Sequence, residues 1–328
     1  MAAPQPPAPR LHNDVYPFIY PSKFRGSLQG KVALITGSAG AIGQAVAECF
    51  AVAGAKMVLA YNQTQPATKE HFTGLGAADV LAVQCNVAEL PSCEELVRQA
   101  LEAFGTVDIL VNNAGANGLE PMHVQSPDSF IHDLAVNLHG PYYLMRLLMP
   151  GMRVKRSGCV LNITSRAGVL PNVPFSTSYH ASKAALINLT GCVQSEADVD
   201  GLDDIHLYAL HPGGVRSEMT LNKYKNAPTT LPDHPALAAK LTARVDAYND
   251  SPHLNGMTCV ALATGLARHV LRGRYFDVGQ DLEDVLAGPA SAAIEADPEL
   301  YTLHTRYLGT VPDSSGAVLD PPFAFPGF

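Results

Sequence analysis

The sequence predicts an α/β fold: one domain on a doubly wound parallel sheet, with helices on both faces and an extension at each end. Three observations carry that prediction. Six short apolar runs recur between residues 32 and 210 without the polar alternation of a half-wet strand, so each is buried on both faces. Helical stretches separate several of them, and strand–helix repetition implies parallel pairing through right-handed crossovers. The first run ends in a glycine-rich turn that opens a helix. In such a sheet the ligand site lies beyond the carboxyl ends of the strands.

The elements follow in order. Residues 1–29 form an arm rich in proline and aromatics (PQPPAP, then VYPFIYPSKF). Its prolines exclude a regular helix, and residues 15–28 are expected to dock on the body or on a neighbouring subunit. The main domain spans 30–284. VALIT (32–36) is the first strand and 41–53 the first helix. KMVLAY (56–61) and VLAVQC (80–85) are the next strands, then a helix at 91–104 and the strand VDILVNN (107–113). Long helices at 135–156 and 177–200 flank CVLNIT (159–164), and IHLYAL (205–210) is the sixth strand. A polar, proline-containing insertion at 217–255 carries a helical piece near 234–249, and 285–328 form a tail ending in PPFAFPGF.

Composition removes several function classes. With 47% hydrophobic and 16% charged residues, the 328-residue chain can bury a large core. A net charge of −8 and a pI near 5.8 leave no basic surplus for a nucleic-acid partner. No apolar run is long enough for a membrane span, and the N-terminus lacks the apolar core of a signal peptide. The six cysteines form no CxxC pair, which fits reduced thiols in a cytoplasmic protein. None of the 12 histidines has a ligand spacing, so no metal site is expected.

Chemistry concentrates in two places. The turn Thr36-Gly37-Ser38-Ala39-Gly40-Ala41-Ile42-Gly43 follows a strand and opens a helix. Glycines there let the backbone approach a pyrophosphate, which the helix N-terminus stabilises. Further on, Tyr179 and Lys183 are four residues apart on a predicted helix, hence on one face. A free phenol has a pKa of about 10, too high for proton exchange at neutral pH. A neighbouring ammonium favours phenolate and lowers it, so Tyr179 can exchange a proton with a carbonyl or hydroxyl oxygen.

These segments, with four others in order, resemble the short-chain dehydrogenase/reductase family. The turn matches TGxxxGxG except that Ala41 stands in place of the middle glycine. Asn112-Asn113-Ala114-Gly115 matches NNAG, Asn137 the helix asparagine, Ser165 the serine after the fifth strand, and Tyr179 to Lys183 the YxxxK motif. Pro212-Gly213-Gly214-Val215-Arg216-Ser217 resembles PGxVxT. The resemblance implies a Rossmann-like fold and an NAD(P)(H)-dependent oxidoreductase, acting on a small-molecule carbonyl or alcohol and assembled as a homo-oligomer, dimer or tetramer. It implies four catalytic residues. Tyr179 exchanges the proton, Lys183 also holds the ribose hydroxyls, Ser165 orients the reacting oxygen, and Asn137 holds a water leading to Lys183. Cofactor contacts would come from Gly37, Ser38, Ala41, Ile42 and Gly43 in the loop, and from Tyr61, Asn62, Asn86 and Val87 after the second and third strands. Asn113, Ala114 and Gly115 would pass close to the adenosine half, while Pro212, Gly213, Val215 and Ser217 would join Tyr179 and Lys183 around the nicotinamide half. The Ala41 methyl is expected to push the pyrophosphate slightly outward and weaken binding.

The second strand ends Ala60-Tyr61-Asn62-Gln63-Thr64, without the carboxylate that NAD-preferring members use on the ribose 2′-hydroxyl. NADP(H) is therefore favoured and NAD(H) stays open, since no arginine or lysine stands there either. Ser165 lies 14 residues before Tyr179, a slightly long loop that leaves Thr164 as a rival for the serine role. The insertion, with Met219, Leu221, Tyr224 and Leu231, points to a bulky, partly apolar substrate. GRYFDVGQDLEDV (273–285) departs from the family's VDGG-like close, which puts the usual tetramer in question. A non-redox enzyme or a cofactor-sensing regulator on the same scaffold is the alternative, but neither needs the complete set of Asn137, Ser165, Tyr179 and Lys183.

Overall fold

Apolar β-rich runs become seven parallel strands in a computed structural model that describes residues 7–170, 174–222, 227 and 231–305. The strands are β1 (Val32–Thr36), β2 (Lys56–Tyr61), β3 (Asp79–Gln84), β4 (Ile109–Asn112), β5 (Ser157–Ile163), β6 (Asp204–His211) and β7 (Tyr275–Asp277). Their spatial order is β3-β2-β1-β4-β5-β6-β7. The order reverses between β1 and β4, so a crevice opens at their carboxyl ends. β7 falls inside the 273–285 stretch and pairs Tyr275 with Ala209 on the edge of the sheet.

The helices are α1 (Pro21–Phe24), α2 (Ala41–Val52), α3 (Lys69–Leu75), α4 (Leu90–Phe104), α5 (Pro127–Leu134), α6 (Gly140–Lys155), α7 (Thr177–Val199), α8 (Glu218–Thr220), α9 (Pro235–Asp246), α10 (Pro252–Ala263), α11 (Leu282–Leu286) and α12 (Gly288–Ala296). One apolar layer joins α2 and α10 to the sheet through Phe50, Met57, Leu254 and Val260. The other is built from α4 and α6 through Leu96, Leu144 and Leu148. α10 lies against α2 at contact distance. A Cβ on Gly256 would come 2.6 Å from Cys49 Sγ and 2.9 Å from Ala45 O. Residues 252–255 open this core helix, with Leu254 and Asn255 fully buried.

The helix expected over 135–156 is interrupted. Residues Ala135–His139 form a wider π-turn between α5 and α6, and Asn137 lies in it, fully buried. Such turns often mark functional positions. The arm packs onto the body with Tyr16, Ile19 and Leu28 buried. Leu282 N donates to Tyr16 Oη at 2.7 Å, Asp281 N to Arg10 O at 2.9 Å, and Ser251 N to Asn13 O at 2.7 Å. Pro17 and Pro21 each open one helical turn, Pro17–Ile19 and α1, because proline suits the first position of a helix. Among the described residues no helix is long and apolar enough to cross a membrane.

Candidate active site

Two glycines of the loop after β1 are required by geometry. Gly37 has φ +62°, and a Cβ there would stand 2.9 Å from Ala114 Cα. A Cβ on Gly43 would reach 2.1 Å from Gly37 O, inside the loop's own turn. Gly40 has φ −75° and no such constraint. Thr36 fastens the loop to the end of β4. Its hydroxyl accepts from Asn113 N and Ala114 N, both at 3.0 Å, while Asn113 Nδ2 donates to Thr36 O at 2.9 Å and Gly37 O at 3.1 Å.

Beyond this junction lies a cavity of about 460 Å³ at the switch point of the sheet. Gly37, Ala41, Ile42 and Gly43 of the loop line it, as do Tyr61 and Asn62. Asn113, Ala114, Gly115, Tyr179, Lys183, Pro212 and Ser217 complete the lining, with Asn113 and Ala114 against the loop itself. Bare backbone, an open helix start and two flanking amide side chains suit a dinucleotide. Residues 61–64 hold no charged group, and Gln84 Nε2 fixes the Asn62 carbonyl at 2.8 Å.

Five of the expected cofactor residues lie outside that lining. Ser38 is fully buried and donates to Ala60 O at 3.0 Å, so its hydroxyl serves the loop. Asn86 and Val87 follow β3 at the same edge. The Asn86 carbonyl accepts from Ala88 N at 3.2 Å in a local turn, and its amide donates to Glu89 Oε1 at 2.9 Å. Gly213 and Val215 line a second cavity instead.

That second cavity, of about 240 Å³, brings Ser165 and Tyr179 together. Ile42, Thr164, Tyr179, Pro212, Ser217 and Met219 line both cavities. A buried chain positions the helix that carries Tyr179. Asn112 Nδ2 donates to Asn162 Oδ1 at 2.8 Å and Asn162 Nδ2 to Thr190 Oγ1 at 2.9 Å, linking β4, β5 and α7. Lys183 is buried, with Nζ 5.6 Å from the centre of the Tyr179 ring and donating to Ile163 O at 2.8 Å. Burial pushes its pKa down to about 8.

Asn137 stands behind this pair. Ala116 N donates to its Oδ1 at 2.9 Å, while its Nδ2 donates to Ala116 O at 2.7 Å and to Ser182 Oγ at 3.1 Å. A Cβ on Gly115 would lie 3.3 Å from Asn137 Oδ1 and 3.9 Å from Lys183 Nζ, so Asn137 and Lys183 border one narrow space. Ser165 accepts from Ala167 N at 3.1 Å. Its hydroxyl hydrogen is not committed by that bond. Thr164 is buried and donates to Leu210 O at 3.0 Å, a sheet bond that engages its hydroxyl hydrogen.

The outer wall comes from the insertion. Met219 lines both cavities, whereas Leu231 is buried in a separate cluster with Leu119, Ala227, Ala238 and Leu241. Leu221 is half-buried outside the lining, and Tyr224 lies outside the described residues. Sequence reasoning missed Leu241, Val245 and Tyr248 on and after α9, and His180 and Arg166 beside the motif residues. Asp250 anchors the wall: its Oδ2 accepts from Gly214 N at 2.5 Å.

The short chain dehydrogenase family model matches residues 31–228. The chain is 34% identical over 283 residues to a short chain dehydrogenase of Pseudocercospora fijiensis, covering 83% of this chain and 88% of that one. It is 30% identical over 285 residues to the short chain dehydrogenase pigC of Monascus ruber, covering 84% and 87%. A 3-oxoacyl-[acyl-carrier-protein] reductase of Synechocystis is 32% identical over 198 residues, 60% of this chain and 78% of the relative. With its parallel sheet, its glycine loop and these relatives, the chain belongs to the short chain dehydrogenase family of NAD(P)-dependent oxidoreductases.

Proposed function

We propose that the chain reduces the ketone of a bulky, partly apolar small molecule with NADPH, through Tyr179, Lys183, Ser165 and Asn137. The observation that carries this reading is the position of Tyr179, on the wall shared by a dinucleotide-shaped groove and a second cavity. When bound, the nicotinamide supplies the hydride. The protein's own groups handle the proton and the orientation. The Tyr179 phenol donates to the carbonyl oxygen as negative charge develops there. Lys183, with a pKa of about 8, keeps its ammonium at neutral pH and stabilises the phenolate left behind. Ser165 directs its free hydroxyl hydrogen at the same oxygen. Asn137 holds the π-turn beside Lys183, on the route by which protons return.

The uncharged end of β2 supports NADPH, since nothing in residues 61–64 repels a 2′-phosphate. Met219, Leu241, Val245 and Tyr248 in the wall support a bulky, partly apolar ketone, and the Synechocystis relative is itself named a 3-oxoacyl-[acyl-carrier-protein] reductase. The free, mostly buried cysteines support a cytoplasmic location. Exposed Tyr142 on α6, beside Met149 and Val193, supports a homo-oligomer, and a single-chain mass in sedimentation would overturn that part.

Incubation with NADPH and a carbonyl panel tests the reading. Wild type is expected to consume NADPH faster than NADH, and Tyr179→Phe to lose roughly 10²–10⁴-fold in kcat. Equal consumption by both proteins would refute the chemistry, and faster turnover with NADH the cofactor choice.

A further inference from the structure

His180 follows Tyr179 on α7 and lines the same cavity as Ser165. Its Nδ1 lies 2.7 Å from Ser176 O, one turn back on the chain. A backbone carbonyl only accepts, so Nδ1 carries the hydrogen and Nε2 of the neutral ring is an acceptor. Nε2 is shielded from bulk water and has no hydrogen-bond partner among the described residues. Several other polar groups of the same wall are engaged elsewhere, while Ser165 is reserved for the reacting oxygen. Thr164 donates to Leu210 O, His211 Nδ1 accepts from Arg166 N at 3.3 Å, Asp250 accepts from Gly214 N, and Asn117 Oδ1 accepts from Ser176 Oγ at 2.6 Å. A buried acceptor without a donor is costly, and in a substrate cavity the ligand is the group that can complete it.

We propose that His180 determines specificity: its Nε2 accepts a hydrogen bond from a hydroxyl of the substrate, so the preferred substrates are hydroxylated ketones. The inference rests on the ketone-reductase reading above and names the substrate class of that site. A buried group that demands a hydroxyl rejects the analogue lacking one far more strongly than an apolar pocket distinguishes a methylene. Because Nε2 is shielded in the free protein, the donor reaches it as the ligand wedges into the cavity, an induced fit that only hydroxyl-bearing ketones complete.

Two substitutions separate this role from a structural one. His180→Asn keeps a donor for Ser176 O and removes the acceptor at the Nε2 position. His180→Gln gives up the Ser176 bond and carries an amide oxygen to the Nε2 position. The probes are positional isomers of hydroxytetralone, a bicyclic aryl ketone, each beside its methyl ether, with NADPH.

Wild type is expected to favour at least one hydroxyl isomer over its ether by roughly tenfold or more in kcat/KM. His180→Asn is expected to reduce that ratio to about one through loss on the hydroxyl substrate, and His180→Gln to retain most of it. Retention in His180→Asn with loss in His180→Gln would make His180 a brace of α7 and overturn the proposal. So would an absence of preference in wild type across all isomers. If wild type and Tyr179→Phe consume NADPH alike on every compound, it is the ketone-reductase reading that fails.

Discussion

Lys183 illustrates how a single side chain trades stability for chemistry. Its ammonium is buried and holds one backbone acceptor, Ile163 O. A lysine whose pKa falls from 10.5 to about 8 destabilises the fold at neutral pH, because the unfolded chain holds that proton more tightly. The cost is on the order of 3 kcal/mol, and the bond to Ile163 O returns about 1 kcal/mol of it. Lys183→Met is therefore expected to abolish reduction while raising stability by about 2 kcal/mol at pH 7, read by urea unfolding. The gain is full below about pH 8 and disappears towards pH 10.5, as the buried amine of wild type loses its proton. Destabilisation at pH 7 would refute this account. The Tyr179–Lys183 pair was legible in the sequence because four-residue spacing on a helix fixes a shared face. His180 was not, since its importance lies in which ring nitrogen Ser176 engages, a matter of side-chain rotation that spacing does not encode.

Among the elements, those with an amphipathic stripe or a bounded apolar run were readable, and those without either were not. α10 is buried along most of its length, so no polar face marks its period. α3 and α5 are too short for periodicity to stand out. The π-turn at Ala135–His139 was invisible because one inserted residue leaves the local pattern helical. The loop after β1 was legible down to its departure. Gly43 is compulsory, Gly40 is not, and Ala41 begins α2 with an exposed side chain on the groove. Removing that methyl group lets a pyrophosphate approach the helix start. Ala41→Gly is expected to lower KM for NADPH several-fold, by roughly 1 kcal/mol of binding, with kcat little changed. An unchanged or higher KM in steady-state kinetics would show that the methyl does not touch the cofactor.

At the scale of the whole molecule, strand–helix alternation gave the sheet, and its parallel sense followed from apolar runs buried on both faces. β7 escaped because three residues on an edge carry no period. The same buried sheet sets the response to acid. His206 and His211 lie on β6, and burial drives the pKa of each down to about 4. Below pH 6.5 the unfolded chain takes up protons that the folded chain refuses, so stability falls as pH drops from 6.5 towards 4. Each histidine contributes on the order of 3 kcal/mol to that loss. Thermal melting is expected to show a steep decline in Tm across this interval, shallower in His206→Gln. A flat profile from pH 7 to pH 5 would refute the assignment.

The six residues common to both cavities carry a kinetic meaning. On the reading proposed above, a ketone in the smaller space would rest against Ile42, Tyr179 and Met219, which also line the larger one. Before the dinucleotide is in place, that partition has an open side and the ketone lacks its floor. Turnover is thus expected to be sequential and compulsory in order, nucleotide first on and last off. Oxidised nucleotide should then inhibit competitively against its reduced form and non-competitively against the ketone, and the opposite pattern would mean that the partition stands by itself.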